Sequence, residues 1–353
     1  MKLLFALAVT GLMTVLAPLH ANEKAITRIA FGSCSKEDKP QPIWEEILDE
    51  KPQVFIYAGD NIYADTTDTL VMRTKYEKLA AQPGFSELRR KAHVLATWDD
   101  HDFGQNDAGA ENPIRAESQQ IFLDFFGVPA SDPRRSQEGI YYAETHGPVG
   151  RRVQFILLDT RYHRTGLDRR QMEVNGRKTR GYVESTAPGA TFLGEAQWRW
   201  LEEQLRQPAE VRIIVSSIQV VAEEHLHEKW SNLPAERERL FELIKSTEAA
   251  GVIFLSGDRH HGELSVMNAG VGYPIYDLTS SGLTQASTKF RYPEKNRHRL
   301  AGMPWGLNYG TVGIDWDDDD PTVSLQLHDE EGLVRVREVV KLSLLKKQAP
   351  ASK

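Results

Sequence analysis

Cysteine is nearly missing from the chain: 353 residues contain one, Cys34. A single thiol excludes an intramolecular disulfide framework and any zinc knuckle built from paired CxxC motifs. Cys34 is therefore either a small buried hydrophobe or a lone chemical ligand. An excess of positive charge is missing too. Lys and Arg number 43 against 50 Asp and Glu, a formal net charge of −7, which argues against a nucleic-acid-binding module that works through overall positive potential. Beyond the first 21 residues no apolar run is long enough to cross a bilayer. The GxSxG elbow of serine hydrolases is absent, and Ser33 and Ser35 have no recognisable partner set. What is present, 40% hydrophobic and 26% charged residues, is the composition of a soluble globular protein able to bury a substantial core.

One apolar run does exist, at the start. MKLLFALAVTGLMTVLAPLHANE carries an early cation at Lys2, no charge from Leu3 to Leu19, and a small residue at Ala21. This is the layout of a secretory signal peptide (1–21) cleaved after Ala21, followed by one domain (22–353), and it implies a periplasmic or secreted protein. An uncleaved membrane anchor is the competing assignment, because the run just reaches spanning length. No cysteine stands directly after it, which excludes a lipoprotein anchor.

Short apolar runs then recur: RIAFGS (28–33), VFIYAG (54–59), HVLATW (93–98), VQFILLD (153–159), RIIVSS (212–217) and VIFLSG (252–257). Their near-continuous apolar character predicts strands buried on both faces. Helical patterns lie between them at 42–50, 70–91, 114–126, 194–206 and 235–249, which predicts an α/β architecture with crossover connections. After Gly270 the pattern turns β-rich and predicts a second sheet packed against the first. Residues 164–192 and the basic stretch 289–299 read as surface insertions, and DWDDDD (315–320) as a solvated turn.

The informative feature is how the strand runs end. One is followed by Cys34, one by Asp60 with Tyr63 three residues on, one by Asp99, Asp100, His101 and Asp102, and one by Asp258, Arg259, His260 and His261. The carboxyl ends of parallel strands share one edge of an open α/β sheet. Acidic, thiol and imidazole groups gathered there repel one another unless cations neutralise them, so the expectation is a metal centre. Thiolate and phenolate beside a carboxylate and an imidazole suit trivalent iron, whereas the neighbouring carboxylates favour a harder divalent ion. Two metals bridged by one Asp can bind the attacking and leaving oxygens of a phosphoryl displacement, which points to phosphoester hydrolysis by a metal-bound hydroxide.

FGSC (31–34), AGDNIY (58–63), TWDDHDFGQND (97–107), LLDTRYHR (157–164), FLGEAQWRWLEEQL (192–205) and LSGDRHH (255–261) together resemble the alkaline phosphatase D (PhoD-like) family of metallophosphatases, within the calcineurin-like phosphoesterases. The resemblance implies a four-layer αββα fold of two packed β-sheets flanked by helices, with residues 22–353 as the catalytic domain. It implies Fe(III) held by Cys34, Asp60, Tyr63 and His260, with Asp60 as the bridge. Asp100 and Asp258 would hold Ca(II) or another divalent metal, with Asp99 and Asn106 as alternative oxygen donors. His101 would orient phosphate or protonate the leaving group. Arg161 would contact phosphate oxygens, a structural salt bridge being its competing assignment. Two departures stand out: the leader has no twin-arginine pair, and too few residues precede the first strand to hold the β-sandwich domain of longer members. The expected function is an exported metal-dependent hydrolase of phosphomonoesters, phosphodiesters or both. The alternative is a secreted anion- or metal-binding protein on the same fold.

Overall fold

A computed structural model describes residues 24–174, 176–288 and 294–347; the leader and residues 289–293 of the basic stretch lie outside them. The elements in chain order are β1 (Arg28–Gly32), α1 (Trp44–Asp49), β2 (Val54–Ala58), α2 (Thr69–Ala80), α3 (Pro83–Lys91), β3 (His93–Thr97), α4 (Asp100–Phe103), α5 (Arg115–Phe125), β4 (Tyr142–His146), β5 (Val153–Leu157), β6 (Arg169–Val174), β7 (Arg177–Tyr182), α6 (Gly194–Leu205), β8 (Val211–Ser216), α7 (Pro234–Ser246), β9 (Val252–Ser256), β10 (Gly262–Met267), β11 (Ile275–Ser280), β12 (Arg299–Met303), β13 (Asn308–Asp315), β14 (Thr322–Asp329) and β15 (Val334–Lys341). Short 3-10 turns supplement them.

Alternation along the first strands builds the layers. Ile29, Phe31, Ile56, Ala58 and Leu95 pack into one core, while their neighbours Ala30, Phe55, Tyr57 and Ala96 pack into another. Successive strand side chains face opposite ways, so an unbroken apolar run yields a strand covered on both sides. The first core is shared with Phe155, Ile213, Ile214 and Phe254 of the other sheet and with Trp198, Leu201 and Leu240 of α6 and α7. The second is closed by Trp44, Tyr76, Phe85 and Phe122 from α1, α2, α3 and α5. The result is helices, sheet, sheet, helices, a layered α/β fold.

The first sheet has the order β15-β14-β13-β1-β2-β3 and the second β12-β10-β11-β9-β8-β5-β4. β1, β2 and β3 run parallel, as do β5, β8, β9 and β11. The β-rich C-terminal part therefore does not form a second sheet by itself, as its sequence suggests. β13, β14 and β15 extend the first sheet antiparallel to β1, whereas β10, β11 and β12 join the second. The region 70–91 splits into α2 and α3 because Pro83, at the first turn of α3, has no N–H to continue the preceding helix. Residues 164–192 are not merely an irregular insertion: they hold the hairpin β6–β7. The acidic run around Asp317 is an exposed turn between β13 and β14. No helix among the described residues is long and apolar enough to cross a membrane.

Candidate metal centre

Two glycines let the strand ends converge. Gly59 has φ +99°, and a Cβ there would lie 2.8 Å from Asp99 Cβ. A Cβ on Gly257 would lie 2.5 Å from Ser33 Oγ and 2.7 Å from the Ala58 carbonyl, so the ends of β1, β2 and β9 meet only because this position is bare. The residues that follow leave the strands through left-handed backbone: φ is 60° at Cys34, 53° at Asp60, 65° at Asp258 and 55° at His260. Non-glycine residues occupy this region at a cost of order 1–3 kcal/mol each, and such strain gathers at functional sites.

These turns bring the four expected iron ligands together. Cys34 Sγ lies 3.2 Å from Asp60 Oδ2, Tyr63 Oη 3.4 Å from the same oxygen, and His260 Nε2 3.1 Å from Tyr63 Oη. Ser281 Oγ fastens the group, 3.1 Å from Cys34 Sγ and accepting the His260 N–H at 2.7 Å. Around the other side of Asp60, donor atoms of Asp99 and Asp258 fall within 4.8 Å of one another and of Asp60, and those of Asp100 and His101 do likewise. Asp60 is thus common to both halves. Asn106 is exposed and lines the cavity above.

Cations fit this arrangement. Asp60 Oδ1, Asp99 Oδ2 and Asp100 Oδ1 are buried and accept no hydrogen bond, although unsatisfied buried carboxylate oxygens are costly. Burial, with Cys34 and Asp100 nearby, drives the Asp60 carboxyl well above its ordinary range. Burial likewise raises the Cys34 thiol and the Tyr63 phenol. Each shift disfavours the anion, and a bound cation would offset it. For Asp100, burial acts upward but Arg161 and His101 outweigh it and hold the carboxyl down at about 2.

Arg161 lies beneath this cluster rather than in the cleft. It is 1% exposed; Nε donates to Asp99 Oδ1 at 2.6 Å and Nη1 pairs with Glu228 at 2.7 Å. Ser217 Oγ donates to the same Asp99 oxygen at 2.6 Å. The structure therefore engages Arg161 in buried ion pairs with Asp99 and Glu228, as its competing assignment expects, with Nη2 4.0 Å from Asp100 Oδ1. Asp159 of the same sequence block is also structural, accepting from Trp98 Nε1 and the Ile140 N–H. His101 stays at the surface of the cluster: Nδ1 is 2.6 Å from Asp65 Oδ1, and its ring packs against Tyr63 with centroids 4.2 Å apart. Burial opposes its charge, but Asp60, Asp65 and Asp100 outweigh burial and raise it to about 11.

A cavity of about 690 Å³ opens over the cluster, with Asp100, His101, Asp258 and His260 in its lining. Its wall includes Arg169, Arg180 and Tyr182 of the β6–β7 hairpin, none of them evident as site residues from the sequence. The available signal was the Asn175–Gly176 dipeptide, a hairpin-turn preference between two six-residue segments. Glu228, which also borders the cavity, has no comparable local signature.

The family model described as PhoD-like phosphatase matches residues 29–289, most of the chain and every residue of the cluster. The chain belongs to the PhoD-like phosphatase family. Alkaline phosphatase D of Bacillus subtilis (strain 168) is 26% identical over 274 residues, which cover 65% of this chain and 45% of that protein; the chain thus spans under half the length of this curated relative. The solved structure of PhoD matches with a TM-score of 0.72 at 16% identity, covering 95% of this chain and 74% of that one. GAP50, the anchor in the inner membrane complex of Plasmodium, matches at 0.57 and 13% identity, with 93% and 91% covered. Both structural likenesses concern the fold.

Proposed function

We propose that this PhoD-like protein is an exported metal-dependent phosphoesterase acting on phosphomonoesters, phosphodiesters or both. The observation that carries this reading is the trio of buried, unpartnered carboxylate oxygens on Asp60, Asp99 and Asp100, which converge from separate strand ends under an open cavity. Cys34, Asp60, Tyr63 and His260 would hold a ferric ion, and Asp60 and Asp258 with Asp99 or Asp100 a harder ion such as calcium. When bound, such a pair neutralises phosphate charge and makes water nucleophilic at moderate pH.

The remaining work falls to the protein. Asp65 fixes His101 through Nδ1, leaving Nε2 for a substrate oxygen, where a protonated ring would donate to a leaving alkoxide. Arg180 lines the cavity and adds a second arginine, besides Arg161, to contact phosphate oxygens. The cavity exceeds what a phosphate alone fills and can house an ester substituent. Export follows from the leader pattern at residues 1–21.

The test is metal analysis of purified protein alongside turnover of an aryl phosphate monoester and an aryl phosphate diester. Occupied metal with hydrolysis of either ester supports the proposal. Full occupancy with neither ester cleaved assigns the fold to binding.

A further inference from the structure

A second set of ligand-type side chains converges at the opposite end of β3. His93 Nε2 lies 2.7 Å from Glu144 Oε2, and His146 Nε2 lies 3.0 Å from the same oxygen. One donor atom from each of the three lies within 4.8 Å of the other two, and the imidazole centroids are 5.4 Å apart with planes at 59°. His93 begins the strand after which Asp99 follows, so at about 3.3 Å per residue the set sits roughly 20 Å from the centre described above and shares no ligand with it.

We propose that His93, Glu144 and His146 form a zinc site that clips the two sheets together at their edges. The topology sets up the geometry: β3 is the last strand of one sheet and β4 the last strand of the other. Tyr142, Glu144 and His146 alternate along β4 and so share one face. That face turns to β3, because Tyr142 Oη accepts the Ala96 N–H at 3.2 Å. Two of the three donors are therefore aimed by one strand, and the third arrives from the facing edge.

The chemistry selects the metal class. Two imidazoles and one carboxylate are a zinc donor set that leaves a fourth position for water, whereas calcium and magnesium prefer all-oxygen shells. Tetrahedral bonds of about 2.0–2.2 Å place donors about 3.3–3.5 Å apart, within the range these three already span. Arg134 lies 3.8 Å over the Tyr142 ring and is neutralised by Asp132 at 2.9 and 2.7 Å. His93 is half-exposed, with 48% of its side chain open to solvent, which provides an entry path.

The competing explanation is a metal-free hydrogen-bonded triad, and zinc titration of the full-length protein with its native metals in place separates the two. The wild type is expected to bind one more equivalent of zinc than His93→Asn, Glu144→Gln or His146→Asn, with aryl phosphate turnover unchanged in all three. Saturating zinc should raise the wild-type melting temperature by roughly 5 °C and leave the variants unmoved. Equal zinc stoichiometry in wild type and variants overturns the proposal. A second arm needs no variant: anomalous diffraction from wild-type crystals soaked in zinc chloride supports it with a peak bonded to both Nε2 atoms, and refutes it with none at that position.

Discussion

Cys34 Sγ and Asp60 Oδ2 lie 3.2 Å apart, although the two residues end different strands and are joined only through neighbouring parallel ladders. The contact makes Asp60 the hinge of the whole cluster, with Tyr63 on the same oxygen and an unpartnered Oδ1 on its other side. Replacing Asp60 by Asn keeps the shape and removes the charge. Both ions should be depleted, and turnover of an aryl phosphate should fall by about a thousandfold, the scale lost when a group that stabilises transition-state charge is deleted. Elemental analysis and steady-state assays read both effects; a metal-replete, active variant would assign the bridge elsewhere.

Arg161, singled out in the sequence, and Arg180, visible only in the cavity wall, should separate by experiment. Arg161→Met removes the guanidinium partner of Asp99 and leaves Glu228 with Arg164 alone, and should cost about 3 kcal/mol of stability, measured by chemical unfolding of the metal-loaded protein. Arg180→Ala touches only the cavity wall. Its melting temperature should match the wild type, while KM for an aryl phosphate rises about tenfold, the loss of about 1.4 kcal/mol of charge-assisted hydrogen bonding. A normal melting temperature for Arg161→Met would show that the buried pairing is dispensable.

If His101 protonates the leaving group, its loss should depend on what leaves. For His101→Asn, kcat on an alkyl phosphate should drop about 10²- to 10⁴-fold, but on a nitrophenyl ester, whose anion leaves unaided, by less than about tenfold. Equal losses on both esters would reassign His101 to phosphate orientation.

A pH effect is expected from a buried carboxylate away from the metal cluster. Asp277 on β11 accepts the Val220 and Val221 N–H groups on Oδ2 and the Ser256 hydroxyl on Oδ1. Burial lifts its carboxyl to about 6, above the ordinary 3.8. The folded state therefore holds this proton more tightly than the unfolded state. Its contribution is neutral below pH 3.8 and turns unfavourable as pH rises towards 6, by about 3 kcal/mol in total, then stays constant. Asn at this position can face its carbonyl to the two N–H groups and its amide to Ser256. Urea unfolding of wild type and Asp277→Asn should show the variant gaining relative stability from pH 4 to 6.5; parallel curves would refute the shift.

The strand ends were legible because each buried strand is an apolar run followed at once by residues that have no place in a core. Cys34, Asp60, Asp100, Asp258 and His260 announce themselves by that contrast. Arg161 does not, because whether a buried arginine meets Glu228, 67 positions away, or a phosphate is decided by loop packing that leaves no periodic trace. The β6–β7 hairpin was obscured for a related reason: both of its strands are rich in charged and polar residues, so neither shows the hydrophobic alternation that marks a half-buried strand. The C-terminal strands were recognisable as strands, but their division between two sheets depends on long-range pairing such as β1 with β13.

The proposed ligands come from both sheets: Cys34, Asp60 and Asp100 from ends in the first, Asp258 and His260 from an end in the second. Neither sheet alone can assemble the donor set, so high-affinity metal capture must wait until the two have docked. Ion occupancy then acts as a latch on a completed chain, and an apoprotein should open first along the seam between the sheets rather than within either one.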